Sequence, residues 1–262
     1  MKTKILISTG GSGGHVLPAL AFYDHLKDNF DVFISSDKRG SKFIENKLEN
    51  LKIINVMPLS KNFLTLPWDI LLFIFGIVKS VVLIKKNKIR IIISTGGYMS
   101  LPVCMAAKIL SCKIILFEPN IVIGRANLYL LKSSSFIFCY SKKIINFPNK
   151  FKNKLKLIPP LLRKELYLEK KNDFNTLSKT VKILIIGGSQ GADFFQKKLK
   201  DLILKLSKIF DLEVTQQTSK ENKNNLENFY KENSIKYSLF YFEKSIHKLI
   251  LESNLCITRS GA

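Results

Sequence analysis

The sequence predicts an α/β protein of two lobes, each a parallel sheet wrapped by helices. Apolar runs of strand length alternate with helical patterns from end to end, and such alternation builds parallel sheets covered on both faces. Two glycine-rich turns, Ser8-Thr9-Gly10-Gly11-Ser12-Gly13-Gly14-His15 and Ile186-Gly187-Gly188-Ser189-Gln190-Gly191-Ala192, lie about 175 residues apart, and each leaves an apolar strand and opens a helix. Between them, residues 163–180 form a polar, lysine-rich stretch after which the strand–helix pattern restarts. That break sets the expected lobes at 1–160 and 161–262.

The first apolar run, Ile5-Leu6-Ile7, is too short for a signal peptide and runs straight into the glycine turn, so it reads as a first strand over 3–8. A helix over 17–28 follows, with Pro18 suited to its first turn. Strands over 31–35, 52–56, 91–94, 113–117, 136–139 and 155–158 then alternate with helices over 40–49, 68–87, 101–110 and 122–131. In the second lobe the order is strand 181–186, helix 192–209, strand 212–217, helix 220–232, strand 236–241, helix 245–252 and strand 254–258. The chain stops at Arg259-Ser260-Gly261-Ala262, which has the look of one more helix N-terminus, so the second lobe is expected to be truncated.

The formal charge of +22 points to an anionic partner, yet only five of the 42 basic residues are arginine, as an AT-rich genome also produces. No nucleic-acid module signature is present, which disfavours nucleic acid as a partner. Cys104, Cys112, Cys139 and Cys256 are scattered among apolar residues with no C-x-x-C pair, as expected of reduced, mostly buried thiols and not of a metal site. Residues 63–84 are apolar except for Thr65, Asp69, Lys79 and Ser80, and a basic run follows. Pro67, Asp69 and Lys79 argue against a membrane span. A buried helix is one reading; the other is a helix with one face in the core and a greasy outer face, Trp68, Phe73 and Phe75, set against anionic lipid.

Glycines without Cβ let backbone N–H groups approach a phosphate closely, and a helix N-terminus favours anions. The first turn fails the Rossmann dinucleotide spacing, and no acid is read after the second strand in the expected manner. His15 stands at the turn, whereas His25 and His247 lie in helical stretches and read as structural. A further strand-to-helix turn, Ser94-Thr95-Gly96-Gly97-Tyr98, and the strand end Phe117-Glu118-Pro119-Asn120 belong to the same lobe. Ligands of open α/β sheets gather at the carboxyl ends of strands, so His15, Gly96, Gly97, Glu118 and Asn120 are expected along one crevice.

Taken together, Gly10-Gly11-Ser12-Gly13-Gly14-His15 with Pro18-Ala19-Leu20-Ala21, Ser94-Thr95-Gly96-Gly97-Tyr98, Glu118-x-Asn120 with Gly124 and Asn127, Gly187-Gly188-Ser189-Gln190-Gly191-Ala192, Gln217-Thr218 and Arg259-Ser260-Gly261-Ala262 resemble the MurG family in order and spacing. The resemblance covers essentially the whole chain. It implies a GT-B glycosyltransferase, two Rossmann-like lobes facing a cleft, that moves GlcNAc from UDP-GlcNAc to the C4 hydroxyl of MurNAc in undecaprenyl-pyrophosphoryl-MurNAc-pentapeptide. It implies no metal and no cofactor, and a peripheral place at the cytoplasmic face of the bacterial plasma membrane, with the anionic membrane surface as a partner.

By the same resemblance, His15 and Glu118 are catalytic candidates, either able to serve as base. Ser12, Gly13, Gly14, Asn120, Arg163, Ser189 and Gln190 fall to UDP-GlcNAc, with Asn120 also a candidate for positioning the acceptor. Gly11, Gly96, Gly97, Tyr98 and Asn127 fall to the acceptor side. Pro119 stands where the family usually has Gln, and Pro159-Pro160-Leu161-Leu162-Arg163 replaces Gly-Asn-Pro-Val-Arg. The family's acidic and glutamine residues beyond Arg-Ser-Gly-Ala do not occur here, so weak donor binding and little turnover are expected of the 262 residues alone. The rival readings are another GT-B enzyme or sugar-nucleotide epimerase, and a non-catalytic acceptor-binding remnant or half of a split enzyme.

Overall fold

The computed structural model describes residues 2–44, 50–54, 66–162, 164, 180–187, 194–195, 198–243 and 245–258. The chain divides into two compact units, Met1–Leu168 and Glu169–Gly261.

In the first unit, strands β1 (Lys4–Ser8), β2 (Asp31–Ser36), β3 (Leu51–Ile53), β4 (Ile91–Ser94), β5 (Lys113–Glu118), β6 (Phe136–Cys139) and β7 (Leu155–Leu157) form one sheet in the order β3-β2-β1-β4-β5-β6-β7. Every pair is parallel. These strands are short Ile/Val/Leu/Phe runs because a parallel sheet is buried on both faces. Alternate residues therefore feed two cores. Leu6, Phe33, Ile92, Leu116 and Ile137 meet Ile84 and Val103 on one face, and Ile5, Ile7, Val32, Ile34, Ile93 and Phe117 meet Val16, Ala19 and Phe22 on the other.

Among the described residues, helices α1 (Gly13–Leu26), α2 (Leu66–Asn87), α3 (Ser100–Ile109) and α4 (Arg125–Leu130) serve this sheet. Helix α1 begins four residues before the expected 17, inside the glycine turn, which places Pro18 beyond the first turn. Pro18 lacks the N–H that would return to the Gly14 carbonyl. In place of a helix over 40–49 there is a short 3-10 turn, Gly40–Phe43, with 45–49 outside the described residues. The expected helix 122–131 starts only at Arg125.

Helix α2 is long and apolar enough to cross a membrane. It carries the chain from β3 to β4 of one sheet and packs along α3, so it lies on the unit as its crossover. Its fully buried positions are Asp69, Gly76, Ser80 and Ile84, whereas Trp68 (65% exposed), Leu71, Ile74, Phe75 (55%), Val78 and Val82 face outward. Phe73 does not join that outer face. It is partly buried, 6.0 Å from the Tyr98 ring, because it falls on the stripe with Ile77 and Ser80 that docks on α3 and the sheet.

The second unit holds β8 (Thr180–Ile186), β9 (Asp211–Gln217), β10 (Lys236–Phe240) and β11 (Leu255–Thr258), all parallel, in the order β10-β9-β8-β11. Helices α5 (Lys200–Ser207), α6 (Lys223–Glu232) and α7 (Ile246–Glu252) accompany them. The core gathers Ile183, Ile185, Ile203, Val214, Leu226 and Tyr230. Of the four free thiols, Cys104 and Cys139 are buried and Cys112 half-buried, but Cys256 on β11 is exposed.

Candidate functional site

In the first sheet the strand order reverses between β1 and β4, and crevices for ligands open at such switch points, beyond the carboxyl ends of the strands. The turns that leave those two strands are Thr9–Ser12 and Thr95–Met99. In the second sheet the reversal falls between β8 and β11, where Ile186 pairs with Thr258; residues 188–192 of the second glycine turn lie outside the described residues.

After β1 the chain turns at Gly11, whose φ of +84° is left-handed and suits glycine. Gly10 is needed for closeness: a Cβ there would stand 2.8 Å from Met99 Cγ and 2.9 Å from Asp37 Oδ1. Ser12 is the extended N-cap of α1, with no side-chain capping bond. The N–H groups of His15 and Val16 both return to the Ser12 carbonyl, at 3.1 and 3.2 Å. The Gly13 and Gly14 amides stand ahead of those bonds, at the open first turn where a helix presents N–H donors and positive charge. Ser12 and Gly14 are exposed, and nothing nearer than Ser12 Oγ covers Gly14.

His15 links the two turns. Its Nδ1 lies 2.9 Å from the Thr95 carbonyl oxygen, which only accepts, so Nδ1 carries the proton and donates. In that tautomer the acceptor lone pair is on Nε2, which has no hydrogen bond among the described residues. The ring lies against Gly96 (φ +91°) and Gly97 (φ +81°): a Cβ at either would sit 3.2 or 3.3 Å from imidazole atoms. Glycine at both positions lets the imidazole lie there.

Glu118, at the end of β5, is 2% exposed. Its Oε1 accepts the Asn120 backbone N–H (3.2 Å) and Nδ2 (3.1 Å); its Oε2 accepts the Gly124 N–H (2.7 Å) and Asn127 Nδ2 (2.9 Å). Asn127 also donates to the Phe117 carbonyl at 3.0 Å, and its buried Oδ1 has no partner among the described residues. Pro119, lacking an N–H, fits here because the donors come from residues 120, 124 and 127. The expected crevice residues thus come together, His15 on Gly96 and Gly97, and Asn127 beside Gly96. Tyr98 is the exception, since its ring packs on Phe73 of α2.

The backbone leading to Arg163 is tied down twice. The Leu161 N–H donates to Tyr140 Oη at 2.9 Å, and His25 Nε2 lies 2.9 Å from the Leu162 carbonyl, a structural task for that histidine. Arg163, Ser189 and Gln190 themselves lie outside the described residues.

The sequence reading passed over Asp37, the residue directly after β2. It is 4% exposed. Its Oδ1 accepts the N–H of Gly11 (2.9 Å) and of Gly40 (2.8 Å), and its Oδ2 accepts Arg39 Nε at 3.2 Å. Burial presses its pKa upward, but the two amides and the guanidinium together prevail and hold it below the usual carboxylate value. An acid does follow the second strand, then, but its carboxylate is engaged by the glycine turn.

Two parallel-sheet α/β units, the first with a glycine turn at its switch point, are the plan of a GT-B fold. Residues 5–137 match the glycosyltransferase family 28 N-terminal domain and residues 182–262 the family's C-terminal domain. The chain is 51% identical over its full length to the UDP-N-acetylglucosamine–N-acetylmuramyl-(pentapeptide) pyrophosphoryl-undecaprenol N-acetylglucosamine transferase of Pelagibacter ubique (strain HTCC1062), covering 73% of that relative. Among solved structures, Acinetobacter baumannii MurG aligns over 99% of this chain and 74% of its own, with a TM-score of 0.72 at 20% identity. A UDP-GlcNAc 2-epimerase from Neisseria meningitidis, bound to UDP-GlcNAc, aligns over 99% and 78% with a TM-score of 0.60 at 13% identity. The fold is therefore shared with epimerases, and the sequence decides between them: the chain belongs to glycosyltransferase family 28 and, within it, to the MurG family.

Proposed function

We propose that this protein transfers GlcNAc from UDP-GlcNAc to the C4 hydroxyl of MurNAc in undecaprenyl-pyrophosphoryl-MurNAc-pentapeptide, with inversion at the anomeric carbon. The C4 oxygen forms its bond to that carbon as the bond to the UDP β-phosphate oxygen breaks. The electron pair leaves with UDP and the hydroxyl proton goes to His15 Nε2. The observation that carries this reading is the His15 Nδ1 bond to the Thr95 carbonyl, which fixes the tautomer that a base requires.

Glu118 acts differently. Four N–H donors already occupy its two oxygens, so it shapes the 118–127 loop and leaves the proton transfer to His15. Ser12, Gly13 and Gly14, with Asn120, take the donor in this unit; Arg163, Ser189 and Gln190 are assigned to it by family resemblance. Gly11, Gly96, Gly97 and Asn127 serve the acceptor side, buried Asn127 by holding Glu118 and the Phe117 carbonyl in place. Amides at the α1 N-terminus supply the field that stabilises diphosphate charge.

The exposed apolar face of α2 supports a place on the anionic cytoplasmic face of the plasma membrane. A helix that buries Gly76 and Ser80 while exposing Trp68 and Phe75 presents its larger apolar area outward, and Lys79 (Nζ 4.5 Å from the Phe75 ring centre), Lys85 and Lys86 add positive charge beside it.

Transfer of labelled GlcNAc to a short-chain lipid I analogue tests the proposal, using the 262-residue chain and the same chain continued by the C-terminal sequence of its Pelagibacter relative. Transfer by the continued chain, lowered more than about tenfold by His15→Ala, is expected. Near-native turnover of His15→Ala would remove His15 from the mechanism. Acceptor binding without transfer in either form would favour a binding remnant.

A further inference from the structure

Asp37 has no place in the reaction just described, yet it touches the centre of the site from beneath. Its carboxylate is buried, joins the N–H of Gly11 in the first glycine turn to the N–H of Gly40 in the turn after β2, and takes the Arg39 side chain on its other oxygen. The packing leaves no slack. A Cβ on Gly10 would stand 2.9 Å from Asp37 Oδ1, and one on Gly40 would stand 2.9 Å from that oxygen and from Gly10 Cα. Arg39 is mostly exposed, and its Nη2 lies 4.0 Å from where a Gly11 side chain would begin. The carboxylate thus fixes the turn's height at the mouth of α1 and aims a guanidinium across it.

We infer that Asp37 is a positioning residue for diphosphate recognition, holding the Gly10–Gly14 amides in register, and that Arg39, oriented by it, adds a cationic contact to the acceptor diphosphate. The inference rests on the transferase reading above. The chemistry suits it: a carboxylate taking two amide protons and a guanidinium is a charge-assisted network, stronger and more directional than neutral hydrogen bonds. Among the described residues Asp37 engages Arg39 through Nε, and the two Nη groups are the ones offered to an anion.

Asp37→Ala and Arg39→Ala, made in the continued chain, test it by separating KM from kcat. Asp37→Ala removes the acceptor of both the Gly11 and the Gly40 N–H, so KM for both UDP-GlcNAc and the lipid I analogue is expected to rise about fivefold or more. Arg39→Ala is expected to raise KM for the acceptor alone by a similar factor, with the thermal midpoint unchanged. A merely structural Asp37 would lower the thermal midpoint and the active fraction and leave both KM values alone; that result, or an unchanged acceptor KM in Arg39→Ala, overturns the inference. A second readout needs no turnover: amide hydrogen exchange of residues 10–16 in the 262-residue chain, expected to quicken about tenfold in Asp37→Ala, which takes away the acceptor of the Gly11 N–H. Unchanged exchange there refutes the clamp even where a failure of transfer refutes only the assigned reaction.

Discussion

Replacing Glu118 by Gln changes one oxygen to an amide NH2 and removes the charge, and the four hydrogen bonds around the carboxylate determine the cost. Whichever oxygen is lost, two N–H donors face another donor: those of Asn120, or the Gly124 N–H and Asn127 Nδ2. A hydrogen bond to a charged acceptor contributes about 1.5–3 kcal/mol, and the site is buried from compensating water, so the substitution costs roughly 3–5 kcal/mol. In a domain of this size each kcal/mol lowers the midpoint by about 2–4 °C, giving a fall of about 6–20 °C in the transition that unfolds the first unit. Circular dichroism melting of parent and Glu118→Gln chains measures it. A midpoint within about 2 °C of the parent would refute the claim that this carboxylate organises the 118–127 loop.

Gly96→Ala should cost about 1–2 kcal/mol in left-handed backbone strain and push on the His15 ring 3.2 Å away, lowering turnover more than stability; equal losses in both would deny the ring its support. Trp68→Glu with Phe75→Glu should abolish flotation of the chain on anionic liposomes, and the parent's flotation should weaken as salt rises; indifference to both would return α2 to the status of an ordinary surface helix. Asp37 has a depressed pKa in the folded state, so its contribution to stability is complete above the unfolded value near 3.9 and is lost as pH falls through the lower folded value. Urea unfolding between about pH 6 and pH 2 should therefore show a steeper acid loss in the parent than in Asp37→Asn, and parallel curves would contradict the assignment. Burial pushes the Cys104 thiol up to about 12, so it should resist alkylation at about pH 8 until the chain unfolds, while exposed Cys256 reacts first.

Much of this architecture can be read in the sequence, and the exceptions share a cause. Strand positions followed from apolar runs because strands buried on both faces need nothing else, and the glycine turns were legible because left-handed backbone at Gly11, Gly96 and Gly97 calls for glycine. The start of α1 was not legible: Gly13 and Gly14 are poor helix formers, and they extend a helix that Val16, Ala19 and Phe22 anchor in the core. Phe73 was misplaced because α2 is apolar all round, which leaves hydropathy without a phase to say which stripe is inward. Asp37 escaped notice because its bond to Gly11 spans 26 residues and exists only once β1 and β2 have paired. Glu118 was found, but its four partners, which take it out of contention as the base, depend on loop geometry that no spacing announces.

The central claim is that bare amides at the carboxyl ends of β1 and β4 receive the diphosphate-bearing substrates. Hydrogen exchange of the 262-residue chain, with and without a saturating short-chain lipid I analogue, tests this directly. The account predicts slowed exchange over 10–16 and 95–98 and none over the edge strand β7. Bound analogue with protection confined to other segments, and unchanged exchange at both turns, would contradict it.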